Sequence, residues 1–212
     1  MQLLKFFVNK AKVKVKNKKS KTKKVNKKIK KKNKKNKEKE AIIKILGVDP
    51  GYAITGYSII EYEKGKFYLK KAGAIITDKD TYFPDRLAEI YKDIDKIIKE
   101  EKPEIMSIEE LFFNTNTTTA IKVAQARGVI LTAARLNGIK IAEYTPLQVK
   151  QAVCGYGRAS KEQVQYMVKT ILKVNVLPKL DDVTDSMAIA ICHGHSGFIN
   201  NKLKKYGLDI DK

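Results

Sequence analysis

The chain has 212 residues, of which 43% are hydrophobic, so its length suits one compact domain with little room for a second. No run of about 18 apolar residues occurs, which argues against a membrane-spanning helix. The two cysteines, Cys154 and Cys192, suggest neither a disulfide framework nor a metal cluster, so a reduced, cytoplasmic setting is expected. The formal net charge is +21, but residues 1–40 hold 19 Lys and 2 Glu, and the rest of the chain has a net charge of only +4. Charge alone is therefore a poor reason to expect that the folded part binds nucleic acid.

Residues 1–40 are the most unusual segment of the chain. From residue 9 onward they are mostly Lys and Asn, a composition that repels itself and cannot bury a core, so we expect a disordered tail. The tail is either a flexible arm that adds non-specific contacts to phosphates, a segment without a function, or the product of a wrongly assigned start codon. A folded domain is expected over 41–200, followed by a short C-terminal tail over 201–212.

The folded part is predicted to begin with three strands and then to alternate helices and strands. A continuous apolar run ends at an Asp-Pro-Gly turn at 49–51, which indicates a buried strand, and a Lys-Gly pair at 64–65 is a hairpin signal. Helical spacing of apolar residues stops before Pro103, and a second helical stretch ends at Gly138. In chain order, we expect strands at 42–48, 52–62 and 66–77, a helix at 84–102, a strand at 104–109, a helix at 117–137, a strand at 139–144, and helices at 146–153, at 160–173 and from 181 or 182 to about 193.

This order of elements predicts an α/β fold. The first three strands are joined by short turns and should be antiparallel, whereas the later strands follow helices, so the central five-stranded sheet should be mixed. A mixed sheet flanked by helices in this order suits a ribonuclease-H-like fold, although the order alone does not establish it.

Four acidic residues stand out because of their positions in these elements. Asp49 ends the first strand and Glu109 ends the fourth, and if these strands are neighbours their ends bring the two side chains close together. Asp182 and Asp185 lie three residues apart at the start of the last helix and share one of its faces. Clustered carboxylates need a cation, and a ligand set without His or Cys favours Mg²⁺ or Mn²⁺ over zinc. Two such ions about 3.5–4 Å apart support phosphodiester hydrolysis.

Each of these positions also has a purely structural explanation. An aspartate before Pro-Gly is common in turns, Asp182 could be an N-cap, and Asp185 could interact favourably with the helix dipole. Taken one at a time, the residues leave both interpretations open. Their joint placement is what favours a metal site.

Five segments of the sequence resemble the RuvC-type Holliday junction resolvases. They occur in the order and with the spacing typical of that family, over about residues 43–198, so together they are far more specific than any one of them. The segments are ILGVDPG at 45–51, IEELFF at 108–113, AQARGV at 124–129, PLQVKQAVCGYG at 146–157 and DVTDSMAIA at 182–190.

The resemblance implies a ribonuclease-H-like homodimer that cuts two opposing strands of a four-way DNA junction symmetrically. It also implies Mg²⁺-dependent hydrolysis that leaves 5′-phosphates, with two ions per subunit and Mn²⁺ as a substitute. Asp49, Glu109, Asp182 and Asp185 fall on the four catalytic, metal-binding positions of the family. The implied partners, in recombination and repair, are a junction-binding protein and a branch-migration motor.

The resemblance further implies a set of DNA contacts. Phe112 matches an aromatic residue that stacks on junction bases, an interaction of about 1–3 kcal/mol per base, although core packing is the alternative for a phenylalanine. Lys150 and Lys161 match basic residues that contact DNA. Arg158 lies near them, beside the glycine-containing loop at 155–157, where phosphate contact is favoured over plain solvation.

The helix at 117–137 is the expected dimer surface, because a two-fold junction suits an isologous dimer with one active site per subunit. The helix at 117–137 carries small residues that would permit close approach of a second copy, or that could pack on the sheet instead, namely Ala120, Ala124, Ala126 and Gly128.

His193 and His195 lie about two turns past the aspartates and are expected to face away from the metal site.

Two other functions fit the same residues. One is another nuclease of this fold, such as a ribonuclease that acts on RNA–DNA hybrids. The other is a junction-binding protein without catalysis. Non-cleaving relatives tend to lose the acidic set, so the presence of all four acidic residues favours an enzyme.

Overall fold

A mixed sheet of five strands organises the part of the chain that the computed structural model describes, residues 42–111 and 117–205. The strands are β1 (Ile43–Asp49), β2 (Ile54–Glu63), β3 (Lys66–Ile76), β4 (Ile105–Glu109) and β5 (Lys140–Tyr144). They lie in the order β3-β2-β1-β4-β5. The pairs β1–β2 and β2–β3 are antiparallel, whereas β1–β4 and β4–β5 are parallel. The predicted mixed sheet is confirmed.

The first three strands form a meander whose second turn has a clear local cause. Lys64 and Gly65, which separate β2 from β3, both have positive φ angles, of 50° and 80°. Two consecutive residues in this region match the twist of the flanking strands and favour a two-residue hairpin turn. The hairpin that the Lys-Gly pair predicts is therefore present.

Five helices in the described part of the chain cover the two faces of the sheet. They are α1 (Phe83–Glu101), α2 (Thr117–Leu136), α3 (Pro146–Cys154), α4 (Lys161–Leu172) and α5 (Asp181–Lys205). The predicted end of the last helix near residue 193 is wrong, because α5 continues to Lys205. Gly194, the residue that follows the predicted end, lies so close to the ring of Phe67 that an added Cβ would overlap it. It is a packing glycine and not a helix cap.

Alternation along the central strands divides the apolar residues between two cores. Ile45 and Ile60 belong to a core that α3, α4 and α5 cover, whereas Leu46 and Ile59 belong to a second core beneath α1 and α2. The sheet is therefore buried on both faces, which explains why β1 is continuously apolar and not alternating. Within the described residues, no helix has the length and the apolar character needed to cross a bilayer.

Candidate active site

The parallel pairing of β1 with β4 brings the first two predicted carboxylates together. The register aligns Val48 with Ile108, so the residues that follow them, Asp49 and Glu109, end neighbouring strands at the same edge of the sheet. The predicted proximity of this pair depended on β1 and β4 being neighbours, and the structure meets that condition.

Two glycines allow α5 to approach this edge closely enough to add the aspartate pair. A Cβ on Gly47 would overlap the carbonyl oxygen of Ser186, and a Cβ on Gly56 would overlap that of Asp182. Any side chain at these positions of β1 and β2 would push the first turns of α5 away from the sheet. The glycines therefore place the helix that carries Asp182 and Asp185 directly against the strand end.

Asp49 lies within electrostatic range of the other three carboxylates. The pKa of Asp49 is raised from 3.8 to about 7, chiefly by burial and then by the charges of Glu109, Asp185 and Asp182, in that order. The ammonium group of Lys161 opposes this rise in the pKa of Asp49. A carboxylate whose pKa is raised in this way favours a state in which positive charge has been added, either as a proton or as a metal ion.

The same two causes act on the neighbouring carboxylates. Burial raises the pKa of Glu109, the charge of Asp185 raises that pKa further, and Lys150 opposes the rise. Burial is also the largest cause of the raised pKa of Asp185, which Lys161 opposes and the two preceding aspartates of α5 increase. Two lysines thus provide part of the positive charge that this acidic site requires.

A cavity of about 220 Å³ opens beside these carboxylates. Its polar lining consists of Glu109, Asp185, Lys150 and Lys161, and its apolar lining of Pro146, Val149, Val164, Ala188 and Ile189. The Nζ atom of Lys161 lies 2.8 Å from Oδ2 of Asp181 and 3.7 Å from Oδ2 of Asp185. The cavity therefore combines carboxylates with two cationic side chains.

Capping boxes determine where the two lysine-bearing helices begin. Thr145 caps α3 through reciprocal hydrogen bonds with Gln148, and Ser160 caps α4 in the same way with Gln163. These boxes satisfy amide groups at each helix start that would otherwise lack partners. Lys161 is consequently the first residue of α4, at the wall of the cavity.

The donor set of this site fits a hard divalent cation. Its four side chains offer only carboxylate oxygens, the ligands that Mg²⁺ and Mn²⁺ prefer. Among residues 42–111 and 117–205, no three Asp, Glu, His or Cys groups converge closely enough to ligate a single ion. Closer approach of the carboxylates without a cation would add to the repulsion that already raises the pKa of Asp49. The residues therefore fit a metal ion in chemistry and in charge.

Arg158, His193 and His195 do not line the cavity. Phe112 lies outside the described residues. Arg158 is exposed on the loop between α3 and α4 and is not part of the cavity wall. Nδ1 of His193 is hydrogen-bonded to the hydroxyl of Tyr144 at 2.8 Å, and His195 donates from Nδ1 to a backbone carbonyl at 2.9 Å. Neither histidine lines the cavity, and the hydrogen-bond partners of both rings lie outside the four carboxylates.

Two residues that contact the site were missed by the sequence analysis. Asp181 pairs with Lys161 and also accepts a hydrogen bond of 3.0 Å from Gln165. Arg127 of α2 donates from Nε to the backbone carbonyl of Glu109 at 3.0 Å. No local pattern indicates either contact, because each joins elements that are distant in sequence. For Arg127, the only signal was its place within the AQARGV segment.

This protein has the features of the ribonuclease-H-like class of nuclease folds. It has a mixed five-stranded sheet, carboxylates at the adjacent ends of two parallel strands, and an aspartate pair on a helix packed against them. Comparisons with known proteins narrow this class. The family model described as "Crossover junction endodeoxyribonuclease RuvC" matches residues 45–193. The RuvC of Alkaliphilus metalliredigens is 54% identical over 160 residues, which are 76% of this chain and 98% of that protein. The RuvC of Clostridioides difficile is 52% identical over 163 residues, which are 77% of this chain and 96% of that one.

Solved structures agree with the sequence comparison. The structure of Thermus thermophilus RuvC matches with a TM-score of 0.70 and 32% identity, and it covers 74% of this chain and 96% of that chain. A second structure, "T. thermophilus RuvC in complex with Holliday junction substrate", matches with a TM-score of 0.69 and 28% identity over the same shares of the two chains. The chain belongs to the RuvC family of crossover junction endodeoxyribonucleases. The predicted resemblance and the predicted ribonuclease-H-like fold are both confirmed.

Proposed function

We propose that this protein is a structure-selective endodeoxyribonuclease that resolves four-way DNA junctions by metal-dependent hydrolysis. The observation that carries the proposal is the meeting of Asp49 and Glu109 at adjacent strand ends, with Asp182 and Asp185 on the helix packed against them. Membership of the RuvC family and the similarity to a RuvC structure described as a complex with a Holliday junction support the choice of substrate. The protein would act in recombination and repair, together with a junction-binding protein and a branch-migration motor.

The four carboxylates are the proposed metal ligands and catalytic residues. When bound, two Mg²⁺ ions would lower the pKa of an attacking water molecule and stabilise the leaving 3′ oxygen. The phosphate would then remain on the 5′ end at the cut. Asp49 and Glu109 lie at the ends of paired strands, which holds their backbone positions rigidly. Asp182 and Asp185 are held by the close approach of α5 to the glycines of β1 and β2. The fold therefore fixes the backbone positions of these four residues before the substrate arrives.

Lys150 and Lys161 are the proposed phosphate contacts nearest the cut. Both line the cavity beside Glu109 and Asp185, so a strand whose phosphate reaches the carboxylates would come close to two ammonium groups. Lys161 is paired with Asp181 in the free protein, and a phosphate would offer it a second anionic partner. Phe112 and Arg158 remain proposals for stacking on junction bases and for an outer phosphate contact.

The exposed face of α2 is the proposed dimer surface. Ala126 is buried between the helix and the sheet, so the small residue at that position packs on the sheet and is not available to a second copy. Gly128, in contrast, is exposed, and no atom lies within 4 Å of a Cβ built on it. It opens into a groove of about 520 Å³ between α1 and α2, which is lined by Leu87, Ala88, Tyr91, Gln125, Gly128, Val129 and Thr132. An apolar groove of this kind supports a two-fold dimer, which would match the symmetry of the junction.

Cleavage of a synthetic four-way junction in Mg²⁺ tests the proposal. The wild-type chain should nick two opposing strands symmetrically and leave nicks that DNA ligase can seal. Asp49→Asn should abolish cleavage and retain binding. The matched control is Glu104→Gln, because Glu104 precedes β4 at the opposite end of the sheet from Glu109. This control should cut at the wild-type rate.

Two results would select a different function. Cleavage of an RNA–DNA hybrid with the junction left intact would indicate another ribonuclease-H-like nuclease. Tight junction binding without cleavage in Mg²⁺ or Mn²⁺ would indicate a non-catalytic junction-binding protein.

A further inference from the structure

Arg127 of α2 joins three elements at the end of β4. Its Nε atom donates to the carbonyl oxygen of Glu109 at 3.0 Å, and its Nη2 atom forms an ion pair with the carboxylate of Glu143 on β5. The side chain of Arg127 is only 15% exposed, whereas that of Glu143 is 46% exposed. The guanidinium is therefore held in place and directed at the backbone of one candidate catalytic residue.

The carbonyl of Glu109 needs this donor because the sheet does not supply one. The amide of Glu110 donates to the carbonyl of Tyr144 on β5 at 2.9 Å. Since consecutive residues of a strand direct their backbone groups to opposite sides, the carbonyl of Glu109 faces β1. The register of β1 with β4 places Pro50 at the position of β1 whose N–H group would donate to this carbonyl. Proline has no N–H group, so this hydrogen bond between the strands cannot form. Arg127 supplies the hydrogen bond that the ladder lacks at this point.

The carboxylate and the backbone of Glu109 are approached from different layers of the fold. The carboxylate lines the cavity with Lys150 and Asp185, which belong to α3 and α5. Arg127 belongs to α2, which covers the other core of the sheet. It is absent from the cavity wall, so it touches neither the carboxylate pocket nor the space open to a substrate there.

We propose that Arg127 is a positioning residue that holds Glu109 at the end of β4 in the orientation its catalytic role requires. This inference rests on the proposed role of Glu109 as a metal ligand. Arginine suits the task because its planar fork can donate in two directions at once, to a carbonyl and to a carboxylate. Without it, the last residue of the strand loses a backbone hydrogen bond, and the carboxylate of Glu109 loses its fixed distance from Asp49 and Asp185.

Arg127→Met tests the inference, and Arg135→Met is the matched control. Arg135 lies near the end of the same helix and donates from Nη1 to a backbone carbonyl, that of Ile139, at 3.0 Å. The measurements are the dissociation constant for the junction without metal, the single-turnover cleavage rate as a function of Mg²⁺ concentration, and the rise in Tm that Mn²⁺ alone produces. The last of these requires no catalysis.

Arg127→Met should lower the single-turnover rate by about 10- to 100-fold, the range typical when a residue that orients a metal ligand is lost. It should also raise the Mg²⁺ concentration for half-maximal rate, weaken the rise in Tm with Mn²⁺, and leave the dissociation constant for the junction unchanged. Arg135→Met should change none of these quantities, even if it lowers Tm without metal. If Arg127 had only a structural role, Arg127→Met would lower Tm and leave the metal dependence of cleavage unchanged.

Two further variants keep the test decisive if Arg127→Met does not fold. Arg127→Lys should remain defective, because one ammonium cannot replace the fork. Glu143→Gln should be less defective, because the hydrogen bond to the carbonyl of Glu109 is retained. Wild-type cleavage and metal dependence in Arg127→Lys would overturn the inference, as would a loss in Arg127→Met confined to junction binding. Full cleavage by Glu109→Gln would instead refute the proposed role of Glu109 itself.

Discussion

Replacement of Asp49 by asparagine should make the metal-free protein more stable at neutral pH while it abolishes cleavage. The carboxyl of Asp49 is buried among other carboxylates, and its pKa is raised from 3.8 to about 7. The folded state therefore binds this proton more tightly than the unfolded state does. The stability associated with the neutral carboxyl is fully present below pH 3.8, and it is lost as the pH rises through about 7.

The size of the effect follows from the change in pKa. A rise from 3.8 to about 7 corresponds to about 4 kcal/mol of unfolding free energy, since one pKa unit is worth about 1.36 kcal/mol. Part of the rise comes from neighbouring carboxylates that titrate together with Asp49, so we expect a measured difference of about 2–4 kcal/mol at pH 8. Each kcal/mol changes the Tm of a domain of this size by roughly 2–4 °C.

The assay is thermal or urea unfolding of wild type and Asp49→Asn in EDTA, from pH 4.5 to pH 8.5. The stability gain of the variant over wild type should grow as the pH rises from 4.5 towards about 7, where only the unfolded state has lost the proton, and it should level off above about pH 7. The control is again Glu104→Gln, which should show no such divergence. A stability difference that does not change with pH, or a variant less stable than wild type at pH 8, would refute the reasoning.

Three more predictions follow from single contacts. Gly47→Ala should cost about 3 kcal/mol of stability and reduce cleavage, because the new methyl group overlaps a carbonyl of α5; an unchanged Tm would contradict the close approach of helix and strand. Lys161→Met should weaken junction binding and reduce the slope of log Kd against log salt by about 1, and a slope equal to that of wild type would show that Lys161 makes no phosphate contact. Val129→Glu, in the groove of α2, should convert a dimer to a monomer in sedimentation analysis, whereas an intact dimer would place the interface elsewhere.

Much of this protein could be predicted from local patterns in its sequence. The apolar run before Asp49 and the Lys64-Gly65 pair indicate the strands and their turn because side-chain burial and positive φ angles are local properties. Acidic residues in three of the five family-like segments indicate the candidate metal ligands. The same local reasoning placed the end of the last helix near residue 193, whereas α5 continues to Lys205 and Gly194 packs against Phe67.

The tertiary structure decided how these parts act together. Only the strand order places Asp49 beside Glu109, and only the packing of α5 on Gly47 and Gly56 adds the aspartate pair. The hydrogen bond from Arg127 to the carbonyl of Glu109 joins elements that no sequence period relates. Periodicity records which face of an element is buried, but it does not record which elements become neighbours. A contact between the side chain of one element and the backbone of another depends on which elements are neighbours, and long-range packing decides that.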